Sequence, residues 1–479
     1  MELSSNATVA VVRDSGETGA ELRKGAVGFF GLLAQSVAGI GPSIAIALIL
    51  GLVAGTSGPG AWLSWLISTL IVIAVAICIS QFARRFVTSG GVYVLNAQGS
   101  PGLGLVTAWA ALLFSIGSAP ILPLAFGIFF VDFLGELGMP GGAATLWLAI
   151  TACTAGAAYF AWRDLGLSAI VMLVIEVVSL IAIALLMIVV AVNNFDHIID
   201  PAQLSLSGVG IREIAQGVVL SLLAFAAFES ALFLGKEASH PLREMSRAIT
   251  GAVIFCGALF IICTYVMSIG FTALGKDFAA SGNPLRDLSA ANGVGFLDYL
   301  IQPGIIISLF AVTIANLNFS SRLLMTLSRE KLLPKLFQHI DPRTQTPSTA
   351  IFIVAAIDVI ATTIFVLTGI ATFDTFGIIG TLSGYWVGLT YLVSCIAMIV
   401  YLRRAGELKP WLLVVAAVGT AAFVYFYWVT AVPMPPSPWN IVLYIFFASV
   451  VLSLIHWAVL AANRSPTLAR FGTSASSQE

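Results

Sequence analysis

Glu229 is a carboxyl set inside an apolar stretch, residues 214–234, between Phe228 and Ser230. Glu176 stands in the same way within 166–192. Ionisable groups in segments this apolar are costly as ions, and they mark proton or substrate paths. Both carboxyls are candidates for carrying a proton. Beside Glu229 the apolar stretch is interrupted by Phe225-Ala226-Ala227-Phe228-Glu229-Ser230, and a second stretch, 26–53, is interrupted by Ala38-Gly39-Ile40-Gly41-Pro42-Ser43. A helix broken within lipid leaves backbone N–H and C=O groups without partners, which is tolerated where those groups line a cavity. The helical half that begins near Gly41 to Ile44 offers N–H groups and a positive dipole end, suited to a carboxylate. The half that ends near Phe225 and Ala226 frees carbonyls, suited to an ammonium group. Gly39, Gly41, Ala226 and Ala227 are small enough for a ligand to approach the backbone.

The elements that must position these groups are long and apolar. Of 479 residues, 59% are hydrophobic and 9% charged, a balance that excludes a soluble globular chain and implies a polytopic membrane protein. Apolar runs near the roughly 20-residue spanning length occur twelve times, at 26–53, 61–82, 103–131, 143–161, 166–192, 214–235, 248–273, 301–327, 349–369, 374–400, 411–430 and 440–462. Residues 1–25 read as a cytoplasmic tail without a secretory signal, 26–400 as the core of ten spans, 401–462 as two further spans and 463–479 as a second cytoplasmic tail. Cys78, Cys153, Cys256, Cys263 and Cys395 all fall in apolar spans without C-x-x-C spacing, so buried thiols are expected rather than disulfides or a metal site. No cofactor and no nucleic-acid partner is implied.

Basic residues test this map. With the N-terminus cytoplasmic, only Arg212, Lys276 and Arg286 of the 22 lysines and arginines fall on the far side. Both termini are therefore expected in the cytoplasm, with the chain a multi-pass protein of the cell inner or plasma membrane. The interrupted spans are the first and the sixth, an odd offset of five, so spans 6–10 enter inverted relative to spans 1–5. Interruptions in corresponding positions of two halves point to a transporter's binding site.

The chain resembles the amino acid–polyamine–organocation transporter family over nearly its whole membrane length. Gly39-Ile40-Gly41 is similar to that family's G-[ST]-G break. Phe82-Ala83-Arg84-Arg85-Phe86, then Ser89-Gly90-Gly91-Val92-Tyr93, resembles its Ser-Gly-Gly-x-Tyr loop. Phe225-x-x-Phe228-Glu229-Ser230 resembles F-x-G-[FV]-E-S, and the stretch from Glu237 through Pro241, Arg243 and Arg247 to Ile249 resembles E-x-x-x-P-x-R-x-x-P-R-A-I. Ser321-Arg322, Arg329-Glu330, Pro334 and Thr346-Pro347 match the segment around the eighth span. Ile40, Pro42, Ala227 and Ser246 depart from these patterns. The resemblance implies an all-α membrane protein with twelve transmembrane helices and a five-plus-five, LeuT-like inverted repeat whose first and sixth helices are broken. It also implies an amino acid substrate, moved by alternating access.

On that basis the expected substrate contacts are Gly39, Ile40, Gly41, Ser43, Ser115, Ser118, Phe225, Ala226, Phe228 and Asn318. Such a lining has no lysine or arginine and suits a neutral amino acid. Proton coupling is assigned to Glu229 and Glu176, and an inner gate to Glu237, Arg243, Arg247 and Arg322. Some members of the resembled family carry a fifth-span lysine in place of sodium, and this chain has none. Sodium coupling through Thr313, Ser320 and Ser321, exchange of one substrate for another, and an amine or polyamine substrate stay open. So does a sensor in place of a transporter, although both tails are short. Asp358 and His456 lie in spans that the resembled fold puts at the periphery, and structural roles are expected. Trp62, Trp65, Trp109 and Trp439 sit near span ends and read as interfacial anchors.

Overall fold

The computed structural model describes residues 27–88, 90–163, 166–206, 208–235, 238–368, 372–463, 465, 471 and 476–477. The first apolar stretch folds as α1 (Phe29–Ile40), α2 (Pro42–Ile44), a π-helical turn at Ala45–Ile49 and α3 (Leu50–Ser57), and then α4 (Ala61–Ala83). There follow α5 (Val92–Gly99), α6 (Pro101–Ser118), α7 (Ile121–Glu136), α8 (Ala143–Arg163), α9 (Gly166–Asn193) and α10 (Pro201–Ser205). The sixth stretch is α11 (Ile211–Ala224) and a 3-10 segment, Phe228–Leu234. The rest is α12 (Pro241–Ala273), α13 (Pro284–Ala291), α14 (Asp298–Arg329), α15 (Ser348–Thr368), α16 (Thr372–Arg404), α17 (Pro410–Ala431) and α18 (Trp439–Ala462). Proline opens α6, α10, α12, α13 and α17, where its missing N–H has no helical partner to lose.

Eleven stretches among the described residues are long and apolar enough to cross a membrane. The first, Phe29–Ala83, is 55 residues long and takes in both 26–53 and 61–82. Pro101–Glu136 takes in the run at 103–131 and bends at Ala119-Pro120 between α6 and α7.

α4 and α12 pack against each other, with α1, α11 and α17 around them. A second group joins α8, α14 and α15, and α14 also lies against α9 and α7. α18 packs only lightly on α6 and α16 and leaves Ile441, Tyr444, Leu452, Ile455 and Val459 exposed. A continuous apolar face of that kind belongs in lipid. His456 bridges this outer helix to α6 by accepting the Trp109 indole N–H at 3.0 Å. Asp358 faces inward from α15, whose Phe352, Ile360 and Ile364 are exposed: it is buried, and neither carboxyl oxygen has a hydrogen-bond partner among the described residues. All five cysteines are buried thiols.

The two interrupted stretches cross in opposite senses. α1 lies along the 3-10 segment that follows the second break, while α3 lies along α11, which precedes it. The ends are fastened as well. Ser57 and Ser64 donate to the Glu213 and Ile214 carbonyls at 3.0 Å each, and Ser239 N–H donates to the Val27 carbonyl at 2.9 Å.

Candidate functional site: two broken helices in contact

α1 runs to Ile40 and stops at Gly41, whose φ of 62° and ψ of 63° are left-handed. Glycine takes that conformation without the steric cost a side chain would carry. Pro42 then starts the next helical run, and its ring fits the first-turn position. The second break is built differently. α11 ends at Ala224, and Ala227 takes φ 62° although it is not a glycine. A left-handed alanine costs about 1–2 kcal/mol, and it persists because the surroundings hold it.

Those surroundings are the first break. A Cβ on Gly39 would lie 2.6 Å from the Ala227 carbonyl oxygen and 2.5 Å from Ser230 Oγ. The two breaks thus touch backbone to backbone, and only glycine fits at Gly39. Ser230 Oγ donates to the Gln35 carbonyl at 2.9 Å across the same contact.

Glu229 is partly buried, and its Oε2 accepts the Tyr391 hydroxyl at 2.9 Å. The same phenol oxygen lies 3.3 Å from the Phe225 carbonyl, which also accepts the Phe228 N–H across the break at 3.2 Å. The Tyr391 ring also tilts against Phe228, with centroids 5.2 Å apart. Tyr391, on α16, therefore ties the tenth apolar stretch to the sixth-stretch break. Phe225 turns its ring away into a cluster with Trp65 and Phe260, at 6.2 and 5.6 Å. Trp65 is wholly buried there, so the interfacial position expected of it is wrong. A tryptophan near a span end reads as an anchor until the neighbouring helix is known to cover it.

Glu176 reaches the first break from α9. Its Oε1 accepts the Ser43 N–H at 3.2 Å and its Oε2 the Ser43 hydroxyl at 2.9 Å. Ser308 of α14 lies beside this carboxyl.

The remaining candidates are placed as follows. Ile40 and Ser43 are buried at the first break, and Ala226 is half-buried at the second. Ser115 and Ser118 spend their hydroxyls on the Leu112 and Phe114 carbonyls of their own helix, at 3.0 and 2.6 Å. Asn318 is half-buried on α14, and Ser320 Oγ of the same helix reaches the Ser115 carbonyl at 3.4 Å. Thr313 and Ser321 donate to the Leu309 and Asn318 carbonyls. Arg243 and Arg247 line a cleft of about 530 Å³ with Phe29, His240 and Glu244. Arg322 is exposed, and none of these three arginines forms an ion pair among the described residues. Glu237 lies outside the described residues, as does Ser89 of the Ser-Gly-Gly loop. Ser246, where the resembled signature has proline, accepts the Arg84 Nε–H at 3.1 Å and so fixes the end of α4 to the start of α12.

Tyr391 and Ser308 escaped the sequence reading, and Trp65 entered it only as an interfacial anchor. Each meets its partner only through tertiary packing, and tyrosine, tryptophan and serine are unremarkable in apolar helices.

A family model described as amino acid permease matches residues 26–455. Cationic amino acid transporter 9, chloroplastic, of Arabidopsis thaliana is 23% identical over 336 residues, 65% of this chain and 57% of that protein. The chain thus spans little more than half of that relative. Branched-chain amino acid permease BcaP of Bacillus subtilis (strain 168) is 22% identical over 330 residues, 65% of this chain and 69% of that one. An uncharacterized transporter of Mycobacterium tuberculosis is 24% identical over 355 residues, 73% of this chain and 77% of that one.

Proposed function

Because the chain belongs to the amino acid permease family, and so is a transporter and not an enzyme, we propose that it is a secondary active carrier. It holds one amino acid between the two helix breaks and moves it by alternating access. The observation that supports this most is the contact of Gly39 with the Ala227 carbonyl. One break presents N–H groups and the other carbonyls, in a shared place, as a zwitterion requires.

The 55 residues of Phe29–Ala83 make about 80 Å of helix at 1.5 Å per residue, more than twice the roughly 30 Å of a bilayer core. That length is taken as two crossings meeting at Gly58–Gly60, giving twelve in all and a five-plus-five inverted core. Both termini are placed in the cytoplasm and the protein in the cell membrane. The named lining residues carry no basic side chain, which favours a neutral amino acid. Glu229 and Glu176 are assigned to proton coupling, and Arg243, Arg247 and Arg322, with Glu237, to the inner gate.

Uptake of radiolabelled amino acids into proteoliposomes tests this, with an inward proton gradient, an inward sodium gradient or preloaded counter-substrate. The reading predicts concentrative uptake of neutral amino acids on the proton gradient alone. Uptake seen only after preloading would make the protein an exchanger, and uptake only on sodium would move the coupling to the cation. Binding without uptake under any condition would leave a sensor.

A further inference from the structure

Ser43 already holds the carboxyl group of Glu176. Its backbone N–H and hydroxyl sit side by side and engage both oxygens of Glu176, at 3.2 and 2.9 Å, the paired-donor arrangement that carboxylates favour. Ser43 is fully buried and Glu176 is 6% exposed. The partners are 133 residues apart in sequence, so this is tertiary design and not a local turn. Ser43 lies in the first turn of a helical run that continues through 42–57.

The proposed function seats the substrate carboxylate on N–H groups of the first break; the inference takes the Ser43 donors as that seat and rests on that reading. Two carboxylates cannot both accept from one N–H and one O–H at such distances. Glu176 must therefore leave Ser43 before the substrate is seated. The groups that face it from the packed elements are Ser43 on α2, Ser308 on α14 and the Cys256 thiol on α12. No lysine, arginine or histidine is among them in the described residues. An anion displaced into those surroundings would be buried without a counter-charge, which is strongly disfavoured. A neutral carboxylic acid can stay there, hydrogen-bonded to Ser308.

We propose that Glu176 is a built-in stand-in for the substrate's carboxylate, and that an amino acid takes the Ser43 donors only as Glu176 takes up one proton. The step balances. Ser43 exchanges one carboxylate for another, an O–H bond forms on Glu176 with a proton from the side on which substrate enters, and no group is oxidised or reduced. On the other side the events reverse: Glu176 sheds the proton, returns to Ser43 and expels the substrate. Proton coupling then needs no separate relay, because ionised Glu176 and the substrate carboxylate compete for one pair of neutral donors.

The test counts protons. Purified full-length protein in weakly buffered detergent with a pH indicator receives an equimolar mixture of alanine, serine, leucine and phenylalanine, and binding is quantified in parallel with radiolabel. The proposal predicts about one proton taken up per amino acid bound. The corresponding decarboxylated amines, which bring no carboxylate to Ser43, should take up none. In wild type the apparent affinity should weaken about tenfold per pH unit once Glu176 is ionised in the free protein. In Glu176→Gln the proton count should fall to about zero and the pH dependence should flatten. A purely structural Glu176 would lower thermal stability in that variant and leave the count at one. Binding of the amino acids with no proton uptake in wild type would overturn the proposal and leave the transporter reading intact. Failure of the whole mixture to bind would overturn that reading and the proposal with it. Should Glu176→Gln fail to fold, the comparison of amino acids with amines in wild type still decides.

Discussion

Gly39→Ala is the smallest change that pushes the two breaks apart. The added Cβ would lie 2.5 Å from Ser230 Oγ and 2.6 Å from the Ala227 carbonyl oxygen, where unstrained heavy atoms keep about 3.5–4.0 Å. The serine can swing away, at the loss of its hydrogen bond to the Gln35 carbonyl, a net cost of about 1 kcal/mol. The carbonyl belongs to a backbone already held left-handed at Ala227 and cannot turn aside. Overpacking of this kind costs about 1–3 kcal/mol. Alanine's better helix propensity returns about 1 kcal/mol, which leaves a net loss of about 1–3 kcal/mol. Gly135→Ala is the control, because its Cβ meets nothing within 4 Å and α7 gains the propensity alone. Thermal unfolding of both variants in detergent, with initial uptake rates in proteoliposomes, measures the difference. Gly39→Ala should melt lower and transport poorly, and Gly135→Ala should melt at or above wild type. Equal behaviour of the two variants would refute the contact between the breaks.

Tyr391→Phe keeps the ring against Phe228 and removes the hydroxyl from Glu229 and the Phe225 carbonyl. A loss of about 1–3 kcal/mol is expected, seen as a lower melting midpoint, and a change under 0.5 kcal/mol (roughly the scatter of surface substitutions) would count against the bridge. Ala227→Gly relieves the left-handed alanine and should stabilise the protein by up to about 1 kcal/mol despite glycine's entropy; destabilisation would mean that the strain is not where the backbone puts it. In the loop after α14, the Arg343 N–H and then the Trp162 indole N–H, at 2.8 and 3.1 Å, hold the Asp341 carboxyl below its usual range. A folded value below the unfolded one means that this loop's order is intact above about pH 4 and fades as the pH falls through the folded value. Hydrogen exchange in 341–346 should show that acid step, and Asp341→Asn should abolish it.

The breaks were legible because glycine and proline are local statements. Gly41 and Pro42 dictate a turn whatever surrounds them, and the span limits followed from apolar length: α8, α9, α15, α17 and α18 begin and end within two residues of the stretches read from composition. What stayed hidden is long-range. Glu176 was visible as a buried carboxyl, but nothing in its own segment says that Ser43 would receive it. Tyr391 lies 162 residues from Glu229 in a helix with other tyrosines, and no spacing rule singles it out. Trp65 was misplaced for the same reason, since a sequence shows what a helix carries and not which face a neighbour covers.

A structure with an amino acid bound, at a pH where uptake is active, tests the central claim most directly. The account predicts ligand density between Ser43 and the Phe225–Ala227 turn, its carboxylate on the Ser43 N–H and hydroxyl and Glu176 withdrawn toward Ser308. Ligand density elsewhere, with Glu176 still seated on Ser43, would contradict it.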